Sequence, residues 1–288
     1  MKESLPGIEY SGLSEVGPIR EDNQDAIQLP NRNLSAERGW LYALADGMGG
    51  YAHGRTASTL ALQKLFDVFY GERAMPAPRA LRRGIEMANL GVYKEAQRLA
   101  AGRMGTTLTA ASVIGSTLYL AHVGDSRAYL IRDDRAICLT ADHTTVGDLV
   151  RMKVLPPDKV RTHAQRSILT KGIGLSLFVK PDLTKHTLKE GDRLILCSDG
   201  LWSVIEDQEF ADLAVKTKGA RELSQRLIDL ALQRQTDDNV SAITVHVTSL
   251  SPSPAGNGSG RKNFAVPWRD WFSRRQTLLY RRIDSSSQ

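Results

Sequence analysis

Residues 107–131 read TLTAASVIGSTLYLAHVGDSRAYLI, and this stretch decides the class of fold. It contains three β-rich segments: 107–113, 117–123 and 127–131. Only short turns such as Gly115-Ser116 separate them. Consecutive strands with so little chain between them pair antiparallel, because a parallel pair needs a crossover of a dozen or more residues. The stretch therefore predicts antiparallel sheet.

The rest of the chain adds helices in separate blocks. Two further β-rich segments, 193–197 and 241–247, lie later in the sequence. Helical periodicity is found in four segments: 56–69, 79–100, 207–216 and 220–233. Strands that cluster in sequence, apart from the helices, favour an α+β fold over a doubly wound α/β fold.

Composition excludes several classes of protein. The chain has 288 residues, of which 41% are hydrophobic and 24% charged, which is globular composition and not that of a disordered chain. Two cysteines, Cys138 and Cys197, are too few for a disulfide framework. Residues 1–10 lack the apolar core of a signal peptide, and no apolar stretch approaches the roughly 20 residues that span a bilayer. We expect a soluble, cytoplasmic protein.

The net charge of +6 belongs almost entirely to the C-terminal end. Residues 261–288 hold seven Lys and Arg against two Asp, a net +5, so residues 1–248 are close to neutral. Residues 249–260 are rich in Ser, Pro and Gly and are typical of a flexible linker. We therefore expect one domain over 1–248, a linker over 249–260 and a basic aromatic tail over 261–288. The tail is a candidate for contact with a membrane surface or a partner protein, and we expect no nucleic-acid partner.

Five short segments place an Asp beside Gly, Asn or Ser, most of them next to a predicted strand. They are Asn23-Gln24-Asp25, Asp46-Gly47-Met48-Gly49-Gly50, Gly124-Asp125-Ser126-Arg127, Ser198-Asp199-Gly200 and Asp237-Asp238-Asn239. Any one of them is a common turn former. Asp46 and Asp199 are each expected to end an apolar strand, so both side chains are expected at one edge of the core.

A cluster of carboxylates is most easily stabilised by cations bound within it, because the carboxylates repel one another. Two of them about 5 Å apart repel by roughly 3 kcal/mol at an effective dielectric of about 20. Ligand sets made of oxygen select Mg²⁺ or Mn²⁺ over Zn²⁺. A pair of such ions activates water for in-line attack on phosphorus, and Arg20, close to Asp25 in sequence, is placed to clamp the phosphate. The residues thus indicate metal-assisted hydrolysis of a phosphate ester.

The sequence also resembles the metal-dependent serine/threonine phosphatases of the protein phosphatase 2C type, in their bacterial form. Eight motifs follow the order of that family over roughly residues 8–247. They are Arg20-Glu-Asp-Asn-Gln-Asp25, Ala45-Asp-Gly-Met-Gly-Gly50, Met104-Gly-Thr-Thr107, Val123-Gly-Asp-Ser-Arg-Ala-Tyr129, Leu139-Thr-Ala-Asp-His143, Leu169-Thr-Lys-Gly-Ile-Gly174, Leu196-Cys-Ser-Asp-Gly-Leu-Trp202 and Asp237-Asp-Asn-Val-Ser-Ala242.

The resemblance implies a four-layer αββα sandwich with a dinuclear Mn²⁺ or Mg²⁺ site at one edge of the sheets. Asp46 would bridge both ions, and the carbonyl of Gly47 would bind one of them. Asp199 and Asp238 would complete the shell of the other ion, and Asp125 matches a weaker third-ion ligand. Asp25 would orient the attacking water, and Arg20 would bind the substrate phosphate. Residues 143–171 correspond to a flap near the site.

Two positions depart from the family pattern. Gln24 stands where the family often has a Glu that contacts metal through water, so the site carries one charge fewer. Met48 stands where some members carry a proposed general acid, which leaves the acid for the leaving group unassigned.

Other motif readings are weaker. Gly47-Met-Gly49-Gly-Tyr-Ala52 fits a dinucleotide fingerprint, but its acidic partner Asp67 falls inside a predicted helix and not at a strand end. Gly124-Asp-Ser126 approaches a nucleophile elbow, but the residues that follow continue as strand.

We conclude from the sequence that the chain hydrolyses phosphoserine and phosphothreonine in proteins, with a cognate serine/threonine kinase as a partner. The alternative is a catalytically weak regulator of the same fold that only binds phosphoproteins.

Overall fold

Two antiparallel β-sheets form the centre of the computed structural model, which describes residues 7–49 and 53–250. The strands are β1 (Gly7–Glu15), β2 (Asp25–Gln28), β3 (Trp40–Gly49), β4 (Met104–Thr106), β5 (Leu108–Ile114), β6 (Thr117–Val123), β7 (Arg127–Arg132), β8 (Arg135–Cys138), β9 (Asp182–Thr187), β10 (Arg193–Cys197) and β11 (Val240–Ser249). One sheet has the order β1-β11-β10-β7-β8. The other has the order β2-β3-β5-β6-β9, with β4 paired to β3.

Helices cover the outer face of each sheet. They are α1 (Arg32–Arg38), α2 (His53–Gly71), α3 (Ala77–Arg98), α4 (Thr145–Arg151), α5 (Asp199–Trp202), α6 (Asp207–Lys216) and α7 (Ala220–Gln233). Helices α2 and α3 share a core with β3, β5 and β6, whereas α5, α6 and α7 share one with β7, β10 and β11. The predicted α+β fold, a four-layer αββα sandwich, is confirmed.

The alternation of side chains along the strands builds these layers. In β10, Leu194 and Leu196 pack into the core between the two sheets, whereas Ile195 and Cys197 pack against the helices. Successive residues of a strand point to opposite faces, so a strand that is apolar at every position must be covered on both. The apolar run in β10 therefore requires a layer on each side.

Element bounds agree closely with the sequence expectations. The helix expected over 79–100 is Ala77–Arg98, and the one over 56–69 is His53–Gly71. The expectation that the apolar run ends its strand at Asp46 was wrong, since β3 continues to Gly49. The cause is β4, whose residues Gly105 and Met104 pair with Met48 and Gly49.

Several expectations concern residues beyond those described. The linker over 249–260, from residue 251 onward, and the tail over 261–288 lie outside the described residues, so the domain division stays a prediction. None of the described helices combines the length and the apolar character needed to cross a membrane.

Candidate metal centre

Strand pairing brings the first two aspartates together. Asp25 begins β2 and lies directly opposite Asp46 in β3. The carboxylate of Asp25 is buried and accepts a hydrogen bond of 2.6 Å from the hydroxyl of Ser241, a residue of the other sheet. Directly opposite residues in an antiparallel pair are neighbours. The centre thus begins as two adjacent acids at the place where the two sheets meet.

The Met-Gly-Thr-Thr motif holds the backbone of Asp46. The carbonyl of Asp46 accepts hydrogen bonds from the Thr106 hydroxyl and the Thr107 amide, both 2.8 Å long. The Asp46 amide donates to the Thr107 hydroxyl at 2.9 Å. The amide and the carbonyl of Asp46 are therefore both held by residues about sixty positions away. The sequence motif did not reveal this role of the two threonines.

Gly47 occupies a place where a side chain cannot fit. A Cβ atom there would lie 2.2 Å from the carbonyl oxygen of Gly54 and 2.6 Å from that of Gln24. Both neighbours are backbone atoms, which cannot move aside as a flexible side chain can. The glycine after Asp46 therefore lets three segments of backbone approach closely.

The other sheet supplies Asp199 and Asp238. Asp199 follows β10 and opens α5, and Asp238 lies two residues before β11. The charges of Asp238 and of Asp25 from the other sheet both act on the buried carboxylate of Asp199, so acids of the two sheets meet at the centre. Asp125, just after β6, is buried, and its carbonyl accepts a hydrogen bond of 2.9 Å from the indole of Trp202.

These acids perturb one another strongly. Burial raises the pKa of Asp46 well above its usual range, and the charges of Asp25, Asp199, Asp125 and Asp238 raise it further. Burial, followed by the charge of Asp238, raises the pKa of Asp199 to about 7. Burial also raises the pKa of Asp25 to about 6, against the hydrogen bond from Ser241. Asp46 is the acid on which the other four act together.

The group fits hard cations. The Oδ1 atom of Asp199 is buried and has no hydrogen-bond partner, which leaves an acceptor without compensation at the centre of the cluster. The donors are carboxylate and carbonyl oxygens, the ligands that Mg²⁺ and Mn²⁺ prefer. As the side chains stand, no group of three or more His, Cys, Asp or Glu within residues 7–49 and 53–250 is arranged so that it could hold a metal ion. In this arrangement Asp238 faces Arg20.

Arg20 lies at the entrance of the centre. Its Nη2 atom donates to the Asp238 carboxylate at 2.7 Å, and its Nε atom donates to the Asp237 carbonyl at 3.2 Å. The side chain of Arg20 is 53% exposed. A partly exposed guanidinium beside a cluster of acids is available to an incoming phosphate.

Asn239 is a residue that sequence reasoning missed. Its amide nitrogen donates to the carbonyls of Val16 at 2.6 Å and Asp22 at 2.9 Å. Its side-chain oxygen accepts from the Gln24 amide at 2.8 Å. The buried Asn239 thus holds the loop that carries Arg20 against the segment before β11 that carries Asp238. The signal in the sequence was an Asn directly before an apolar run, which is also the pattern of an ordinary turn.

His122 and His143 lie next to each other beside the segment that carries Asp125. The rings of His122 and His143 stack with their centroids 4.9 Å apart. His122 bonds the hydroxyl of Thr109, and His143 Nδ1 accepts from the Gly124 amide at 3.0 Å. These contacts give the buried His122 a structural role. His143 is also buried, although the sequence placed it at the start of the flap.

The competing motif readings meet structural obstacles. A dinucleotide site needs its acidic residue at the end of a strand, whereas Asp67 lies within α2. Ser126 is followed by strand β7, and its hydroxyl is buried against that of Thr107 at 2.8 Å. Cys197 is a free, buried cysteine in β10.

Gln24, one of the two departures from the family pattern, donates through its side chain to the Gly49 carbonyl at 3.3 Å.

Comparison with known proteins places this geometry in a family. The model of the family described as protein phosphatase 2C matches residues 20–235, which include seven of the eight motifs. The eighth motif begins two residues after the match ends, at Asp237. The chain belongs to the protein phosphatase 2C family. The serine/threonine protein phosphatase PstP of Mycobacterium tuberculosis is 34% identical over 259 residues, which are 88% of this chain and 48% of that protein. The chain thus spans about half the length of this relative.

Solved structures of the family agree with the fold. The serine/threonine phosphatase Stp1 of Staphylococcus aureus superposes with a TM-score of 0.78 and 34% identity, over 86% of this chain and 98% of that one. The catalytic domain of the phosphatase PstP, in complex with two manganese ions, gives a TM-score of 0.73 and 31% identity, over 84% and 99% of the two chains.

Proposed function

We propose that the chain is a protein serine/threonine phosphatase that uses two Mn²⁺ or Mg²⁺ ions. The observation that carries this proposal is the convergence of four other carboxylates, from segments of both sheets, on Asp46. The oxygen-only donor set and the two manganese ions of the PstP structure support it. Two divalent ions supply Lewis-acid activation of water and neutralise charge on the phosphate.

Each site residue has a role in this proposal. Asp46 would bridge the two ions, with the Gly47 carbonyl on one of them and Asp199 and Asp238 on the other. Asp125 would bind a weaker third ion. For Asp238 to serve as a ligand, it must share its carboxylate between metal and Arg20, its partner here.

Asp25 and Arg20 would act on water and substrate. The Ser241 hydroxyl fixes the carboxylate of Asp25, which can then orient water for attack in line with the leaving oxygen. The water gives up a proton as its oxygen bonds to phosphorus, while the bond from phosphorus to the Ser or Thr Oγ breaks and the leaving oxygen takes up a proton. One water is consumed, and inorganic phosphate and the free hydroxyl are released. Arg20 would hold two oxygens of the phosphate.

The proposal is tested by phosphate release from a phosphothreonine peptide, with Mn²⁺ and with a chelator. We expect turnover with Mn²⁺ and essentially none with the chelator, because the centre without cations leaves its acids protonated or repelling. A phosphotyrosine peptide serves as the control for substrate class. Equal rates with Mn²⁺ and with chelator would exclude the metal mechanism. Binding of the phosphopeptide without turnover would favour the alternative, a catalytically weak phosphoprotein-binding regulator.

The partners named by the sequence remain part of the proposal. We infer that the substrates are phosphorylated proteins, which the names of the bacterial relatives support. We further propose that a cognate serine/threonine kinase supplies these substrates.

We also propose that the basic tail over 261–288 associates with an anionic membrane surface or a partner protein. Truncation at Ser249 is expected to leave peptide hydrolysis unchanged and to abolish sedimentation with anionic vesicles. Zwitterionic vesicles are the control. Loss of peptide turnover on truncation would show that the tail belongs to the catalytic domain, and unchanged sedimentation would exclude it as the membrane contact.

A further inference from the structure

A cavity of about 520 Å³ opens beside the metal centre. It is lined by Met48, Gly49, Arg103, Ser167, Ile168 and Leu169. The first three come from the β3–β4 edge, and the last three come from the end of the flap. Cavities of this size are within the range of binding sites in proteins.

The cavity lies close to the metal centre along the chain. Met48 follows Gly47 directly, and an extended chain advances at most about 3.6 Å per residue. A substrate peptide whose phosphate reaches Asp46 and Arg20 would therefore bring the side chain one or two residues away to the cavity, if it is extended. The cavity is placed to contact a residue that flanks the phosphorylated one.

The walls combine apolar side chains with one cation. Met48, Ile168 and Leu169 supply the apolar surface, and Ile168 is 48% exposed. Exposed apolar surface beside a polar site is typical of a binding surface. Arg103 is exposed, and among the described residues it forms no hydrogen bond or ion pair. Its charge is thus available to an anion.

Backbone bonds hold both walls in place. Met104 pairs with Gly49, which fixes Arg103 at the edge of the sheet. The carbonyl of Ile168 accepts from the Thr145 amide at 2.9 Å, and Leu169 bridges to Thr144. The cavity therefore exists before substrate arrives and needs little ordering on binding.

We propose that this cavity is a specificity site for a phosphoprotein segment in which an apolar residue and then an acidic residue flank the phosphorylated residue. The apolar side chain packs against Met48 and Ile168, and the carboxylate pairs with Arg103. The proposal rests on the proposed phosphatase function and adds its preferred substrate. Charge complementarity favours an acidic over a basic flank, because an arginine is the only charged side chain among the described residues that line the cavity.

The test compares phosphothreonine peptides that differ only in the two flanking residues. The pairs are Leu-Glu, Leu-Lys and Ala-Glu, placed in turn on the N-terminal and the C-terminal side, with Mn²⁺ present. On one of the two sides, we expect kcat/KM for Leu-Glu to exceed that for Leu-Lys by about five- to tenfold. It should exceed that for Ala-Glu by about tenfold, the value of burying a leucine side chain.

Charge reversal in the protein decides the assignment. Arg103→Glu should invert the order of Leu-Glu and Leu-Lys, whereas Arg82→Glu, the same change at an exposed position early in α3, should leave it unchanged. If Arg103→Glu does not fold, Arg103→Gln should abolish the preference. Equal kcat/KM for all peptides, or a preference that survives Arg103→Glu, would overturn the specificity site. Loss of Mn²⁺-dependent turnover of every peptide by the wild-type chain would instead overturn the proposed function.

Discussion

Asp46→Asn is expected to lower Mn²⁺-dependent phosphate release about a thousandfold, the scale on which one group that stabilises developing charge contributes. Asp46 is the acid that the other four surround, and its backbone is held by Thr106 and Thr107. An amide at this position keeps the shape of the side chain but removes the charge that would serve both ions. The measurement is kcat with a phosphothreonine peptide under saturating Mn²⁺.

The same substitution should act oppositely on the metal-free protein. Replacing one of five mutually repelling acids by a neutral amide relieves repulsion, so the unfolding temperature in chelator should rise, by about 2–4 °C for each kcal/mol relieved. Mn²⁺ should raise the unfolding temperature of the wild type and leave that of Asp46→Asn nearly unchanged. Asp67→Asn, at an exposed position of α2, is the matched control and should change neither property. Unchanged turnover in Asp46→Asn would contradict the assignment.

Asn239→Ala is expected to reduce kcat/KM for phosphopeptides about a hundredfold, the cost of a small misplacement of a binding group. The substitution removes three hydrogen bonds and leaves the Gln24 amide and the carbonyls of Val16 and Asp22 without this partner. The loop between them carries Arg20, so the effect should appear chiefly as a higher KM and weaker inhibition by inorganic phosphate. Each polar group left unpaired in a buried place also costs about 1–3 kcal/mol of stability.

A double-mutant cycle separates positioning from simple loss of stability. If Asn239 acts through Arg20, then Arg20→Ala combined with Asn239→Ala should have a KM close to that of Arg20→Ala alone. Asn33→Ala, at an exposed position of α1, is the control and should leave KM unchanged. Multiplicative effects of the two substitutions on KM would show that Asn239 contributes independently of Arg20.

Local features of the fold were well predicted from the sequence. The bounds of β6, β10, α6 and α7 agree with the expected segments to the residue, because strong periodicity and turn residues mark their ends. The αββα arrangement came from the resemblance, whereas the residues alone indicated antiparallel sheets with separate helices.

Strands with weaker sequence patterns were not predicted. β1 mixes Ser11 and Ser14 with apolar residues, and β9 is mostly exposed at the edge of its sheet. Such strands are defined by their partners more than by their own composition, and β1 pairs with β11 more than two hundred residues away.

In the candidate site, too, some residues could be predicted from the sequence and others could not. The acidic residues could be named because each stands beside a turn former next to a strand. The partners of those residues could not, since Ser241 meets Asp25 and Asn239 meets Val16 only after the chain has closed over more than two hundred residues. Ser and Asn carry no pattern that distinguishes such a contact from an ordinary turn.

The central claim is that the acids around Asp46 form a site for two divalent ions. Titration of Mn²⁺ into the full chain by isothermal calorimetry tests it most directly, with turnover followed in the same samples. We predict two ions bound per chain as turnover reaches its maximum, with a weaker third at higher concentration, and loss of the first two in Asp46→Asn. Full turnover without bound Mn²⁺, or unchanged Mn²⁺ binding in Asp46→Asn, would contradict the claim.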